Sequence, residues 1–298
     1  MASGQAKLAH ILADRAQKMR AEGNAGEALR LAETALETAR KAAADPRGST
    51  SALPECLGIC ADLHAERGEL AAAEKLYIEA MSQAEVDCAE PLAIADLKCR
   101  LAALYDFGGL EEKAIPIYAE AIALFEAMPE PPDLDLANLR NNLAMLHKNA
   151  GDYNLAEEEY LSALEGFRRA YGGDSEDAAA VLNNLGGLYH AAGYAERAED
   201  MHRRALEMRR AILPAEHPEV GQALSNLAAI HHEMNRYAEA KKHYREALGI
   251  LEKHAAADPE TYAIVSENYA TLLREHGHDW KAKSVEKKAV KLGAAALL

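Results

Sequence analysis

A repeat with a period of 42 residues constrains this chain more than any other feature. The segment NNLAMLHKNAGDYNLAEEEY at residues 141–160 returns 42 residues later as NNLGGLYHAAGYAERAEDMH, and after a further 42 as SNLAAIHHEMNRYAEAKKHY. A chain written this way folds as a row of similar motifs. Each motif alone buries only part of its apolar surface, and stacking on its neighbours completes the core.

Four columns of residues keep this spacing. The first small residue stands at Ala102, Ala144, Gly186, Ala228 and Ala270. The turn residue stands at Gly109, Gly151, Gly193, Asn235 and Gly277. Two alanines follow, at Ala114, Ala156, Ala198, Ala240, Ala282 and at Ala121, Ala163, Ala205, Ala247, Ala289. Slips of 41 and 45 residues extend the columns back to Ala61 and Ala16, which gives seven repeats in one array over residues 1–298.

Each column predicts a feature of a helix pair. Small residues let two helices cross at ~8–10 Å, and glycine ends a helix in the left-handed conformation at little cost. A bulky column, at Tyr77, Tyr118, Tyr160, His202 and Tyr244, is predicted to fill the space to the next repeat. Pro218 and Pro259 suit the first position of a helix, with Asp258 as N-cap. The fold predicted is all-α, with repeats at approximately 6–45, 50–90, 91–130, 133–172, 175–214, 217–256 and 259–296.

Composition agrees with helices and disfavours some partners. The chain is 49% hydrophobic but only 5% aromatic, which is unlike a β-sandwich. Its formal net charge of −15 opposes binding to the phosphates of nucleic acid. The sequence shows no secretory leader and no long apolar run, so we expect no membrane span and a cytoplasmic location with reduced cysteines at Cys56, Cys60, Cys88 and Cys99.

These columns resemble those of tetratricopeptide repeats (TPR), over about residues 6–296. The usual TPR period is ~34 residues, and the 42-residue form with a trailing HPEV is similar to the longer variant of kinesin light chains and their bacterial relatives. The resemblance implies a right-handed superhelical solenoid of about seven helix-turn-helix units, with the first helices lining a concave groove.

The register of the first helices predicts which side chains face that groove. Two residues before the small residue stand Arg100, Asn142, Asn184, Asn226 and Asn268. Four residues after it stand Lys148, His190, His232 and Arg274. Further amides stand at Asn138, Asn141, Asn149 and Asn183. Asparagine offers both a carbonyl and an NH₂, the complement of a peptide backbone, and the resemblance implies that the column beginning at Asn142 grips such a backbone. These residues form the predicted peptide-binding site.

Other interpretations of the same residues stay open. The asparagines could instead bond across to the adjacent helix and stabilise the stack. The function predicted is a protein interaction scaffold that binds an extended peptide segment; the alternative is a peptide-sensing regulator whose superhelix changes pitch. We expect a protein or peptide partner, no enzymatic activity and no cofactor, and the oligomeric state stays open.

Metal binding is not expected, because Cys56, Cys60 and His64 lie on the packing stripe of one helix and lack a fourth ligand. His64, His147 and His231 share a column with Tyr105 and Tyr189 and are expected in the core, bonded to a neighbour. His190 and His232 are expected to face the groove without an adjacent ladder of carboxylates at ligand spacing, so catalysis or metal binding by this pair is not expected. Trp280 is expected to pack on the final turn.

Overall fold

The structure is a computed structural model that describes residues 2–45, 49–87 and 89–294, so Cys88 and the end of the seventh predicted repeat lie outside the described residues. Within these residues the regular structure is entirely helical. The chain divides into two compact units, Met1–Pro132 and Asp133–Leu298, and the boundary falls at the predicted junction of the third and fourth repeats.

Compact unit 1 holds three antiparallel helix pairs. Its helices are α1 (Ala2–Ala21), α2 (Ala25–Ala44), α3 (Leu53–Glu66), α4 (Leu70–Val86), α5 (Pro91–Phe107) and α6 (Glu111–Glu126). Each odd-numbered helix packs most extensively on the helix that follows it, while α2 also contacts α3 and α4 contacts α5. The all-α solenoid of consecutive helix pairs predicted from the period is confirmed.

Compact unit 2 holds four further pairs. Its helices are α7 (Asp133–Ala150), α8 (Tyr153–Tyr171), α9 (Glu176–Ala191), α10 (Ala195–Ile212), α11 (Pro218–Glu233), α12 (Tyr237–Leu251), α13 (Pro259–Glu275) and α14 (Asp279–Ala289). A 3₁₀ turn, Glu252–His254, follows α12, and a π-helical segment, Val290–Ala294, follows α14. The core of this unit runs between the helices, where side chains of each pair meet those of the next.

The small-residue columns occupy the helix crossings as predicted. The alanines of the first column and of both second-helix columns are fully buried, with 0% of their surface exposed, from Ala16 to Ala289. The turn column adopts positive φ in every repeat, including Asn235 at φ 59°, the only non-glycine residue with positive φ among the described residues. The backbone therefore needs this conformation once per repeat, and glycine supplies it most cheaply.

The predicted helix starts are also confirmed. The carboxylate of Asp258 accepts a hydrogen bond from the backbone N–H of Thr261 at 3.0 Å, and Pro259 is the first residue of α13. Pro218 opens α11 in the same way. Proline costs nothing there, because the first N–H groups of a helix have no partner within it.

The bulky column packs between repeats as predicted, and His231 of the histidine column is buried as predicted, whereas His64 and His147 are half-buried. Tyr160 and Tyr244 are each 1% exposed, and His231 is 5% exposed. The hydroxyl of Tyr189 on α9 donates to Glu157 on α8 at 2.6 Å, and His231 Nε2 on α11 lies 3.3 Å from Glu199 on α10. Glu157 and Glu199 are equivalent positions of consecutive repeats, so the same carboxylate of the second helix contacts the first helix of the next repeat in both cases.

Cys56 and Cys60 are buried on α3 as predicted, and burial raises the pKa of both thiols to about 12. The expectation for Trp280 is wrong, because its side chain is 70% exposed. The reason lies in its column, whose members in the four preceding repeats are all exposed: Glu112, Asn154, Glu196 and Ala238.

Candidate functional site

Five of the thirteen predicted peptide-binding residues line one cavity in compact unit 2. It has a volume of about 280 Å³ and lies on the face formed by the first helices α7, α9 and α11. Five predicted residues line it: Lys148, Asn183, Asn184, His190 and Asn226. Gly187, His202, Ala229 and Ile230 complete the wall. We call this surface the first-helix face of unit 2.

Hydrogen bonds between side-chain amides connect consecutive first helices across this face. The Nδ2 group of Asn184 on α9 donates to Oδ1 of Asn141 on α7 at 3.0 Å. The Nδ2 group of Asn226 on α11 donates to Oδ1 of Asn183 on α9 at 2.6 Å. Each bond spans 43 residues, one more than the period. These two bonds therefore stabilise the packing of consecutive first helices, as the alternative interpretation of the asparagines predicted.

His202 reaches the cavity from the second helix α10 and is 6% exposed. Its Nδ1 lies 3.1 Å from Asn183 Oδ1, so a neutral ring protonated at Nδ1 donates to the same oxygen that accepts from Asn226. Burial lowers the pKa of His202 to about 4, with smaller effects from the charges of His190 and Arg209. The ring is consequently neutral at pH 7 and fixes the orientation of the Asn183 amide.

Gly186 makes room for this ring, because a Cβ at Gly186 would lie 2.6 Å from His202 Cε1. The column pattern predicted only that His202 packs between repeats. The sequence nevertheless indicates that its contact differs from the equivalent contacts in the other repeats. In the fifth repeat alone, glycine replaces the small alanine of the first column while histidine replaces the tyrosine of the bulky column.

A second connection between first helices uses histidine and glutamate. His190 Nε2 on α9 lies 2.5 Å from Glu233 on α11, and His232 Nε2 on α11 lies 2.7 Å from Glu275 on α13. Each of these two histidines therefore has one carboxylate partner on the next first helix, which the sequence did not predict. Each glutamate stands 43 residues after its histidine, one more than the period, so a comparison of equivalent positions in the repeats did not reveal the pair.

The other predicted residues of unit 2 do not line the cavity. Asn138 donates from Nδ2 to the backbone oxygen of Leu134, at 3.0 Å on its own helix. Arg274 pairs with Glu286 on α14. Asn149 and Asn268 are exposed, and Asn142 is half-buried beside Asn141.

Arg100 belongs to a different cavity, in compact unit 1, of about 490 Å³. Its guanidinium pairs with Asp96 and lies 3.4 Å from Asp62, which also accepts from Arg20 at 3.1 Å and from the hydroxyl of Tyr77 at 2.5 Å. Asp62 is held by three donors and is only 13% exposed, so this network is mainly structural.

Comparison with known proteins decides the family. The model for the tetratricopeptide repeat matches three overlapping stretches, 135–211, 196–253 and 219–293. The chain belongs to the tetratricopeptide repeat family. The match covers compact unit 2, where the 42-residue columns are most regular, and TPR proteins generally act in protein interactions.

Three solved structures show how far the likeness of this TPR chain extends. BtubC (BKLC) from P. vanneervenii is 32% identical with a TM-score of 0.64, over 76% of this chain and 90% of that one. A second structure, assigned to a kinesin light chain of Podosopora anserina, consists of TPR-like repeats that are nearly identical to one another. It is 16% identical to this chain with a TM-score of 0.58, over 66% of this chain and 94% of that one. A signal transduction ATPase (STAND) from Pyrococcus horikoshii with a TPR sensor is 16% identical with a TM-score of 0.77, over 97% of this chain but 42% of that one.

The two matches at 16% identity show the shared fold alone. A search of curated proteins gave no match. In the part of this TPR chain that the structure describes, no helix has the length and apolarity needed to cross a bilayer.

Proposed function

We propose that this TPR protein is an interaction scaffold, without enzymatic activity, that binds an extended peptide segment of a partner protein on the first-helix face of unit 2. The observation that supports the proposal is the pair of amide hydrogen bonds at Asn184 and Asn226, which lie in the wall of a cavity instead of inside the core.

The amide bonds position the groups that a peptide needs. Each bond uses one N–H of an NH₂ group, while the carbonyl oxygens of Asn184 and Asn226 are not used in it. Those oxygens can accept from the N–H groups of a peptide backbone. An extended chain rises ~3.3 Å per residue, so amides one repeat apart, at ~8–10 Å, meet about every third residue of the ligand. Such contacts are largely independent of the ligand's side chains.

Gly187 gives the cavity its depth. A Cβ added at Gly187 meets no other atom within 4 Å, so the absent side chain is replaced by open space. The same column holds Met145 one repeat earlier, where the side chain is 37% exposed. A methionine in this column is therefore compatible with the helix, and at position 187 it would occupy the cavity.

This comparison supplies a test that leaves the amide bonds intact. A displayed library of random peptides is panned on the wild-type protein, and the selected peptides are then measured against Gly187→Met. We expect binding to weaken by about tenfold or more, equivalent to about 1.4 kcal/mol, with unchanged helical circular dichroism. Ala65→Met, on α3, is the control in the other compact unit. Selected peptides that bind both variants as tightly as the wild type would exclude the first-helix face of unit 2.

The alternative is a peptide-sensing regulator whose superhelix changes pitch on binding. A TPR array described as a sensor shares this fold, and interfaces between repeats can shift when a ligand favours one arrangement. Small-angle scattering of the protein with a selected peptide separates the two functions. An unchanged radius of gyration at saturation fits the scaffold, and a changed one fits the regulator.

A further inference from the structure

The only tryptophan of the chain stands on a solvent-exposed helix face. Trp280, near the start of α14, is 70% exposed, and Ala238 occupies the same position on α12 and is also exposed. Because the column is exposed even in repeats that are packed on both sides, Trp280 owes its exposure to its column and not to its place in the last helix pair. Exposed tryptophan is uncommon on a surface without a partner and is enriched where interfaces hold most of their binding energy.

Basic side chains share this face. A helical spacing of 7 residues places Lys287 on the side of α14 that carries Trp280, and Lys291 follows in the π-helical segment after α14. The corresponding side of α12 carries Lys242 and Arg245. These four side chains are exposed, and the bond from Lys288 to Glu252, at 2.6 Å, joins α14 to the turn after α12. We call Trp280, Lys242, Arg245, Lys287 and Lys291 the basic face of α12 and α14.

The charges of this face have no counterpart in the folded chain. Among the described residues, no carboxylate forms an ion pair with Lys242, Arg245, Lys287 or Lys291. The equivalent face of α10 differs, because Arg203 pairs there with Asp200 and lies 3.9 Å from Glu207. The whole chain carries a net charge of −15, so helix faces with four cations that form no ion pair are an exception to its general composition.

We propose that the basic face of α12 and α14 is a second docking surface, which binds an acidic segment of a partner protein whose apolar side chain packs on Trp280. Carboxylates complement the four cations, and charge complementarity of this kind speeds association and selects the partner. The indole ring supplies the apolar contact that fixes the position of the segment. Long polyanions such as nucleic acid are disfavoured, because the acidic remainder of the chain repels them. The surface lies on second helices and does not depend on the function proposed for the first-helix face.

Trp280 also reports occupancy directly, since all tryptophan fluorescence of the protein comes from this residue. The probes are two short synthetic peptides of equal length, one of glutamate alone and one of repeated Glu-Glu-Leu, each titrated into the full-length protein. We expect both to shift the emission of Trp280, the leucine-containing peptide to bind more tightly, and both affinities to fall as salt screens the charges. Emission that stays unchanged with both probes would overturn the proposal.

A matched pair of triple variants separates local charge from net charge. Lys242→Gln with Lys287→Gln and Lys291→Gln is expected to weaken binding of the Glu-Glu-Leu peptide by about tenfold. The control, Lys7→Gln with Arg15→Gln and Lys75→Gln, removes the same charge from exposed positions of compact unit 1 and is expected to leave the affinity unchanged. Equal weakening by both triple variants would show a general charge effect and overturn the site.

Three further measurements test the class of partner. Tighter binding of oligothymidylate than of the Glu-Glu-Leu peptide would assign the face to phosphate. Tighter binding of phosphatidylglycerol vesicles would assign it to a lipid surface. Sedimentation that shows wild-type dimers, but monomers of the basic-face variant, would assign it to a second copy of the chain. Each of these results contradicts the proposal. Weaker binding of both oligothymidylate and the vesicles, together with a monomeric wild type, supports it.

Discussion

The imidazole of His202 occupies the space that a Cβ atom at Gly186 would fill, with Cε1 only 2.6 Å from that position. In the neighbouring repeats the same two columns hold Ala144 with Tyr160 and Ala228 with Tyr244. The fifth repeat therefore departs from the pattern at both members of one contact, and the two departures compensate each other.

Gly186→Ala is expected to lower the free energy of unfolding by about 1–3 kcal/mol, because the added methyl group forces the ring and α10 away from α9. The better helix propensity of alanine, about 1 kcal/mol, offsets only part of this cost. Adding His202→Tyr recreates the pair found in the adjacent repeats and is expected to recover most of the loss. Urea unfolding followed by circular dichroism measures both. A single variant as stable as the wild type would show that the contact is not tight.

His202 also predicts a dependence of stability on pH. The unfolded chain takes up a proton near pH 6.5, while burial lowers the pKa of the folded residue to about 4. The stability contributed by the neutral ring is therefore complete above pH 6.5 and decreases as the pH falls toward 4, by up to about 3 kcal/mol.

The measurement compares wild type with His202→Tyr in urea unfolding on both sides of this pH window. The difference between the two proteins isolates His202 from His243, whose pKa burial also lowers. We expect the wild type to lose stability relative to the variant as the pH falls. A difference that stays constant with pH would contradict the burial of a neutral ring.

The period of the sequence predicted the packing columns because each column has one physical requirement. A crossing point accepts only a small side chain, and the turn requires positive φ, so the roles of Ala144 and Gly151 can be assigned from the sequence alone. The exposure of Trp280 was equally predictable from its column, which holds Glu112 and Glu196. The prediction failed because tryptophan was treated as apolar without regard to its register.

The partners of the groove residues could not be predicted in this way. Asn184 bonds to Asn141 and His190 pairs with Glu233, each 43 residues away and not 42. That offset of one residue depends on how one repeat packs on the next, which no single repeat encodes. The division of the chain between Pro132 and Asp133 likewise depends on contacts between helix pairs.

The amide bonds change what is expected of Asn184→Ala with Asn226→Ala. A role in gripping a peptide backbone by itself predicts binding at least tenfold weaker, about 1.4 kcal/mol, with melting nearly intact. The structure adds the loss of two hydrogen bonds between helices, each about 0.5–1.5 kcal/mol, partly offset by the helix propensity of alanine. We therefore expect the double variant to unfold at lower urea concentration as well as to bind selected peptides more weakly.

Asn268→Ala is the control for stability, because Asn268 is exposed on α13 and, among the described residues, forms no such bond. We expect Asn268→Ala to leave the urea midpoint of unfolding unchanged or to raise it slightly. If the double variant loses stability while its folded fraction binds peptide with unchanged affinity, the asparagines serve only the stack.

Asn235 is the one place where the turn column departs from glycine, and it adopts φ 59° all the same. Its side chain contributes little there, because its hydrogen bond to the backbone oxygen of Glu233 is 3.5 Å long. Asn235→Gly is therefore expected to stabilise the protein by about 0.5–1 kcal/mol, since glycine reaches this conformation without the Cβ clash.

The reciprocal change, Gly193→Asn at φ 82°, is expected to destabilise it by a similar amount. Urea unfolding of both variants and of their combination checks the prediction, because independent turns in different repeats should give additive effects. Two changes of the same sign would show that the side chain of Asn235, and not its backbone conformation, sets the stability of this turn.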